Sequence, residues 1–100
     1  MVIVLAATAA PAREPRGQGW NEEKCARYTA GWHEALSRLG REGLGTGFVA
    51  AHEAFLAAGC RGPRRVCPRS EAELRMADAL TAAAVNARIA GSFLPFGCRR

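Results

Sequence analysis

Four cysteines, Cys25, Cys60, Cys67 and Cys98, stand behind an apolar N-terminus, and they constrain this chain more than any other feature. An even cysteine count in a short exported domain reads as a disulfide framework. A hydrophobic core of this size is marginal by itself, so covalent staples suit it. The competing reading is metal or redox chemistry in a reducing compartment. The spacings oppose it: 34, 6 and 30 residues intervene between successive cysteines. There is no C-x-x-C, no paired short spacing of the zinc ribbon or finger kind, and no haem-attachment C-x-x-C-H.

The N-terminus supports export. Val2 to Ala10 forms a short apolar run, and Ala10-Pro11-Ala12 and Ala7-Thr8-Ala9 both match an A-x-A cleavage site. The run is too short for a membrane span, which needs about 20 apolar residues. No Lys or Arg precedes Arg13, so the usual basic flank is missing and the true start could lie upstream. The expected organisation is a signal-peptide-like segment over 1–12 and a flexible lead-in over 13–20, with Pro15 and Gly17. A single helical, disulfide-stabilised domain then covers 21–100. The expected location is periplasmic or secreted.

Hydrophobic periodicity predicts three helices. In the first, Asn21 is the expected N-cap, Cys25, Tyr28, Trp32, Leu36 and Leu39 share one stripe, and Gly40 is the stop. Gly31 inside this helix suggests close approach by a neighbour. The second runs from Thr46 to Ala58, with Phe48, Ala51, His52, Phe55 and Leu56 inward and Gly59 as its stop. The third opens at Ser70 with a capping box to Glu73 and runs to about Ala90. Leu74, Ala77, Leu80, Ala84 and Ala87 mark its inner face, widened by Met76, Val85 and Ile89, and Gly91 ends it. The tail from Ser92 to Cys98 is expected to fold back over the bundle. The fold class is therefore all-α: a small three-helix bundle with a folded-back C-terminal tail and two disulfides.

Four cysteines admit three pairings. If the first two helices are antiparallel, Cys25 and Cys60 share one end of the bundle. Cys67, just before helix three, is expected there too, and the tail is long enough to bring Cys98 most of the way back. The favoured pairing is Cys60–Cys67, clamping the loop, with Cys25–Cys98 fixing the tail. Cys25–Cys67 with Cys60–Cys98 is the rival.

Charge is unevenly placed. Six basic and six acidic residues balance up to residue 60, so the net charge of +5 lies beyond it. Arg61, Arg64, Arg65 and Arg69 make a basic loop that favours anionic partners, and they are the candidate binding residues. The plainer reading is a solvated loop that keeps a small protein soluble. Trp20 is the fifth candidate, as a partner-binding anchor rather than a staple beside the helix cap. Nucleic acid is a poor fit, because no aromatic residues are interleaved with the arginines.

Catalytic constellations are weak. His33, His52 and Asp78 could sit at one level, but His33 is one residue off the apolar stripe and points about 100° away from Trp32. His52 reads as a core histidine, so no metal site is assigned. Ser37, Ser70 and Ser92 lack a nucleophile motif. Gly40, Gly43, Gly45 and Gly47 match neither a dinucleotide nor a Walker loop. No catalytic residue and no cofactor is assigned, and the chain is read as a non-enzyme.

Cys25-Ala-Arg-Tyr28-Thr-Ala-Gly31 is a C-x-x-Y-x-x-G behind an export signal, followed by Cys67-Pro68 with a capped helix and an ending in Phe96-Gly97-Cys98. This resembles the periplasmic immunity proteins that guard bacteria against type VI secreted peptidoglycan amidases, the Tai family. The resemblance implies a small, helical, disulfide-bonded, non-catalytic protein that binds a cognate effector. The chain departs from the family pattern in carrying Cys60 instead of an upstream cysteine. It also has one helix, not two, before the last cysteine, so no effector-contact residue is carried over. An uncharacterised exported helical family with the same cysteine logic fits the residues equally.

The expected function is thus a small exported binding or inhibitor protein whose partner is another exported protein. The alternative is an envelope-associated accessory protein that binds anionic lipid or cell-wall polymer through the basic loop. No transmembrane span is expected.

Overall fold

Three helices and a folded-back tail account for the chain from Arg16 to Cys98, the residues that the computed structural model describes. The expected signal segment lies outside these residues. Helix α1 spans Arg16–Leu39, α2 Thr46–Ala57 and α3 Glu71–Asn86, and a single 3-10 turn occupies Gly91–Phe93. No helix among the described residues is long and apolar enough to cross a membrane.

Helix α1 begins five residues before the expected cap, so residues 16–20 of the expected lead-in are helical. Asn21 therefore sits inside the helix, where its side chain donates to the Gly59 carbonyl at 3.2 Å. Gly40, at φ +81°, closes α1 as expected, its N–H bonding back to the Leu36 carbonyl. Both halves of the Ser70–Glu73 capping box are formed at the start of α3. That helix ends short of Gly91 because Arg88 adopts a left-handed φ of +65°. The Ile89 N–H then bonds to the Ala84 carbonyl at 2.8 Å, a Schellman-type closure that buries Ile89.

Helix direction explains the rest. Trp32 packs on Phe48, and Tyr28 on His52 and Phe55, so α2 runs antiparallel to α1. Helix α3 also runs antiparallel to α1. Ala35 and Leu39 lie beside Ala79 and Ala83, while Tyr28 lies beside Ala84 and Ile89. Helices α2 and α3 are consequently parallel, and Cys60–Ser70 must travel the length of α2 to connect them. At about 3.3 Å per residue an extended segment of that length covers the helix comfortably.

This crossover overturns the expected cysteine pairing. Cys60 is left at the α1 N-terminal end, where it bonds to Cys25 with Cα atoms 5.5 Å apart. Cys67 is carried toward the other end and bonds to Cys98, at 4.8 Å. Neither Cys60–Cys67 nor Cys25–Cys98 forms, and neither does the rival pair. The expectation failed because it placed the start of α3 at the same end as Cys60.

The core lies between the helices and under the tail. Trp32, His52, Val66, Met76, Leu80 and Pro95 are its most completely buried side chains. The tail contributes Phe93 against Tyr28 and Phe55, and Phe96 stacked over His52. Helix α3 faces inward through Met76, Ala77, Leu80 and Ala84. Leu74 and Val85, expected inside, are exposed, as is Leu39. Leu74 lies at the edge of the inward stripe, about 100° round the helix from the centre of the face formed by Met76, Ala77, Leu80 and Ala84. A side chain added at Gly31 would meet nothing within 4 Å, so the close helix approach expected there is not made.

Candidate binding surface

The crossover is an exposed ribbon held at both ends. Gly59 and Cys60 take consecutive left-handed conformations, φ +79° and +60°. Their N–H groups bond to the Leu56 and Phe55 carbonyls, which turns Cys60 inward onto Cys25. At the other end Val66 is buried and pairs with the tail. Its N–H donates to the Pro95 carbonyl and its carbonyl accepts from Gly97, and the Cys67–Cys98 disulfide follows directly. Gly97 is required there, since a Cβ would come within 2.9 Å of the Arg64 carbonyl oxygen. Between these two anchors, 5% and 1% exposed, Arg61 to Arg65 are all exposed.

The structure thus leaves Arg61, Arg64 and Arg65 exposed on one short stretch of the crossover, with the Arg64 backbone against Gly97 of the tail. The ion pairs among the described residues, Arg27–Glu23 and Arg38–Glu34, both lie within α1, and none involves the ribbon. Arg69 is separate. It lies at the far end of the crossover beside Glu73, and its charge acts on that carboxylate. Burial alone would raise the Glu73 pKa. The backbone N–H groups of Arg69, Gly45 and Ser70 and the Arg69 charge outweigh burial and hold it below the usual carboxylate value. Glu73 accepts from Gly45 N at 2.6 Å and Arg69 N at 2.8 Å, so one carboxylate ties the α1–α2 loop to the start of α3.

Trp20 is not part of the ribbon. It is 41% exposed on α1, with the Lys24 ammonium and the Arg27 guanidinium against its ring at 5.7 and 5.4 Å. Lys24 also lies over Phe93, at 5.1 Å. Aromatic and cationic groups are thereby clustered at this end of the bundle.

The two histidines are parted. His33 is exposed on an open groove that it shares with Asn21, Cys25 and Arg61. His52 is fully buried, its Nε2 2.7 Å from the Tyr28 hydroxyl and its ring centroid 4.0 Å from that of Trp32. Burial lowers its pKa to about 4, so it is neutral at ordinary pH. The same burial raises the Tyr28 pKa. Among the described residues, His52 Nδ1 and Trp32 Nε1 find no hydrogen-bond partner. Among the described residues, His, Cys, Asp and Glu do not gather in threes at one point.

The Tyr28–His52 bond was missed at the level of sequence, although both residues were placed on inward stripes whose crossing would have suggested it. The reach of Glu73 to Gly45 had no sequence signal beyond the capping box. Ala51, Ala54 and Ala58 were a further signal: their steps of three and four put three small residues on one edge of α2, beneath the ribbon. Comparison of the chain with protein-family models, with curated proteins and with solved structures found no match.

Proposed function

We propose that this chain is a small exported binding or inhibitor protein, without catalytic activity of its own, that acts through contact with another exported protein. The observation that carries the reading is the ribbon. Its ends are fixed by two disulfides and by buried Cys60 and Val66, while five consecutive residues between them face solvent. A peptide ordered before it binds loses little conformational entropy on association, which is what a dedicated recognition loop requires. Arginine suits such a loop, because its planar fork engages carboxylates in two parallel hydrogen bonds.

Two disulfides and no free cysteine are compatible with an extracellular or periplasmic protein. The resemblance to amidase immunity proteins supports an inhibitor of that type, whose partner would be a secreted hydrolase. Within the resembling element, Tyr28 and Cys25 serve the core and the staple rather than the surface. The ribbon is the surface to which we assign an immunity contact.

The test is a photo-crosslinking residue in place of Arg64, in the full chain produced in its own cell. A discrete adduct with one exported protein supports the reading. Recovery of lipid or wall-polymer adducts alone would sink it.

A second reading has its own observation. Trp20 with Lys24 and Arg27 joins an exposed indole to two cations, a combination suited to an anionic membrane or wall surface. An accessory protein of this kind would bind anionic vesicles through that cluster, with affinity falling steeply as salt rises.

A further inference from the structure

A cavity of about 280 Å3 lies between α2 and the ribbon. Ala51, Ala54, Phe55 and Ala58 line it from the α2 side, and Arg61, Pro63, Arg65 and Val66 from the ribbon. We propose that this cavity is the anchor site of the interface, and that it takes one large apolar side chain from a partner protein, flanked in the partner's sequence by carboxylates. The inference rests on the proposed binding function and names the chemistry of the partner.

Four observations carry it. The α2 side is apolar, and Ala54 and Ala58 are exposed, so a side chain entering there covers surface that water now wets. The volume, about 280 Å3, admits a large apolar side chain, and apart from the two arginines its lining offers no polar side chain that would orient a cofactor. The ribbon side is fixed, because Val66 is bonded to the tail on both its N–H and its carbonyl. The two guanidinium groups have no ion-pair partner among the described residues, so the charge left to complement is negative. An apolar pocket ringed by groups that exclude water is the usual form of an interface hot spot.

The occupant is assigned to a protein rather than a membrane because the exposed Trp20, the group suited to lipid, belongs to α1 and does not line the cavity. The ribbon also presents only three cations, less than a nucleic-acid footprint, and no aromatic residues alternate with them.

The test uses the intact, oxidised chain and three blocked peptides, Glu-Glu-Leu-Glu-Glu, Lys-Lys-Leu-Lys-Lys and Glu-Glu-Ala-Glu-Glu, with decanoate as a fourth probe. Binding is read from backbone amide shifts in NMR titrations. The acidic leucine peptide is expected to shift Ala54, Ala58 and Val66, with affinity about tenfold above the basic one. The alanine peptide should bind more weakly than its leucine counterpart. Ala54→Trp, which fills the cavity from an exposed position, should abolish the shifts, as should Arg61→Glu with Arg65→Glu. Arg75→Glu, on the exposed side of α3, should leave them in place. Equal binding of the basic peptide, shifts that ignore Ala54→Trp, or no shifts at all would each overturn the proposal. Binding of decanoate without the acidic leucine peptide would replace the protein occupant with a small anionic amphiphile. If Ala54→Trp leaves the in-cell crosslink at position 64 unchanged, the cavity is refuted while the proposed function stands.

Discussion

The Tyr28 hydroxyl and the His52 Nε2 lie 2.7 Å apart at the centre of the core, joining α1 to α2 across 24 residues of sequence. Both residues are buried, and aromatic rings surround the pair: Trp32, Phe48, Phe55 and Phe96 all lie within 6.5 Å of the imidazole by ring centroid. A polar bond in such surroundings fixes which rotamers the core adopts, because leaving either end unpaired is costly. Tyr28→Phe removes the hydroxyl and strands the Nε2. It should destabilise the fold by about 1–3 kcal/mol. Tyr28→Phe combined with His52→Phe should cost less than the two single changes added together, because neither polar group is then left alone. Urea unfolding of the four proteins completes the cycle.

Acid should weaken the fold in two stages. His52 keeps its ordinary pKa of about 6.5 when unfolded and falls to about 4 when folded. The unfolded chain therefore binds the proton first. Stability is full above pH 6.5 and declines as pH falls toward 4, by a total on the order of 3 kcal/mol. Glu73, held low by its three backbone donors, adds a further loss as pH falls through its own depressed range. Thermal unfolding between pH 8 and 4 should show the first decline in the native chain. His52→Phe should flatten it, and an unchanged slope in that variant would assign the decline to another group.

Each disulfide closes a long loop, with sequence separations of 35 and 31. Chain-entropy reasoning gives about 3–4 kcal/mol for either. A non-reduced digest should yield Cys25 linked to Cys60 and Cys67 linked to Cys98. Replacing Cys67 and Cys98 together with alanine should lower the unfolding midpoint and also expose the ribbon to trypsin, because Val66 then depends on two hydrogen bonds to hold it. Resistance equal to that of the native chain would mean that the ribbon is fixed without its second staple.

Gly31→Ala should stabilise the protein. The added methyl meets nothing within 4 Å, and alanine is favoured over glycine in a helix interior by about 1 kcal/mol. Gly43→Ala should do the opposite, since its backbone sits at φ +85° and a Cβ there would come within 2.7 Å of the Ala72 Cβ. Denaturation midpoints of the two variants should move in opposite directions.

Local features of the chain were legible in the sequence wherever a few neighbouring residues decide the outcome. The Ser70–Glu73 box is a four-residue device and appears as read. Gly40 closes α1 and the apolar tail folds back, because one needs a left-handed turn and the other must bury Leu94 and Pro95. The failures share a different cause. Arg88 ended α3 before Gly91 could, through a left-handed turn that residue type does not announce. The charged loop was legible as charge but not as shape. Its four arginines read as one patch, whereas the crossover leaves three exposed on the ribbon and the fourth beside Glu73.

Residue pattern and composition were enough to specify a small helical domain with two disulfides, a buried histidine and a basic connection. Periodicity, capping and cysteine count act locally or by composition, so they survive without coordinates. That α2 and α3 run parallel emerges only in three dimensions. This one direction stretches Cys60–Ser70 along the bundle, selects Cys25–Cys60 and Cys67–Cys98 from the three pairings, leaves Arg61, Arg64 and Arg65 exposed, and sets Arg61 and Arg65 beside a small apolar cavity. Helix direction is set by which faces bury together, a sum over contacts distant in sequence, and no single segment of the chain carries it.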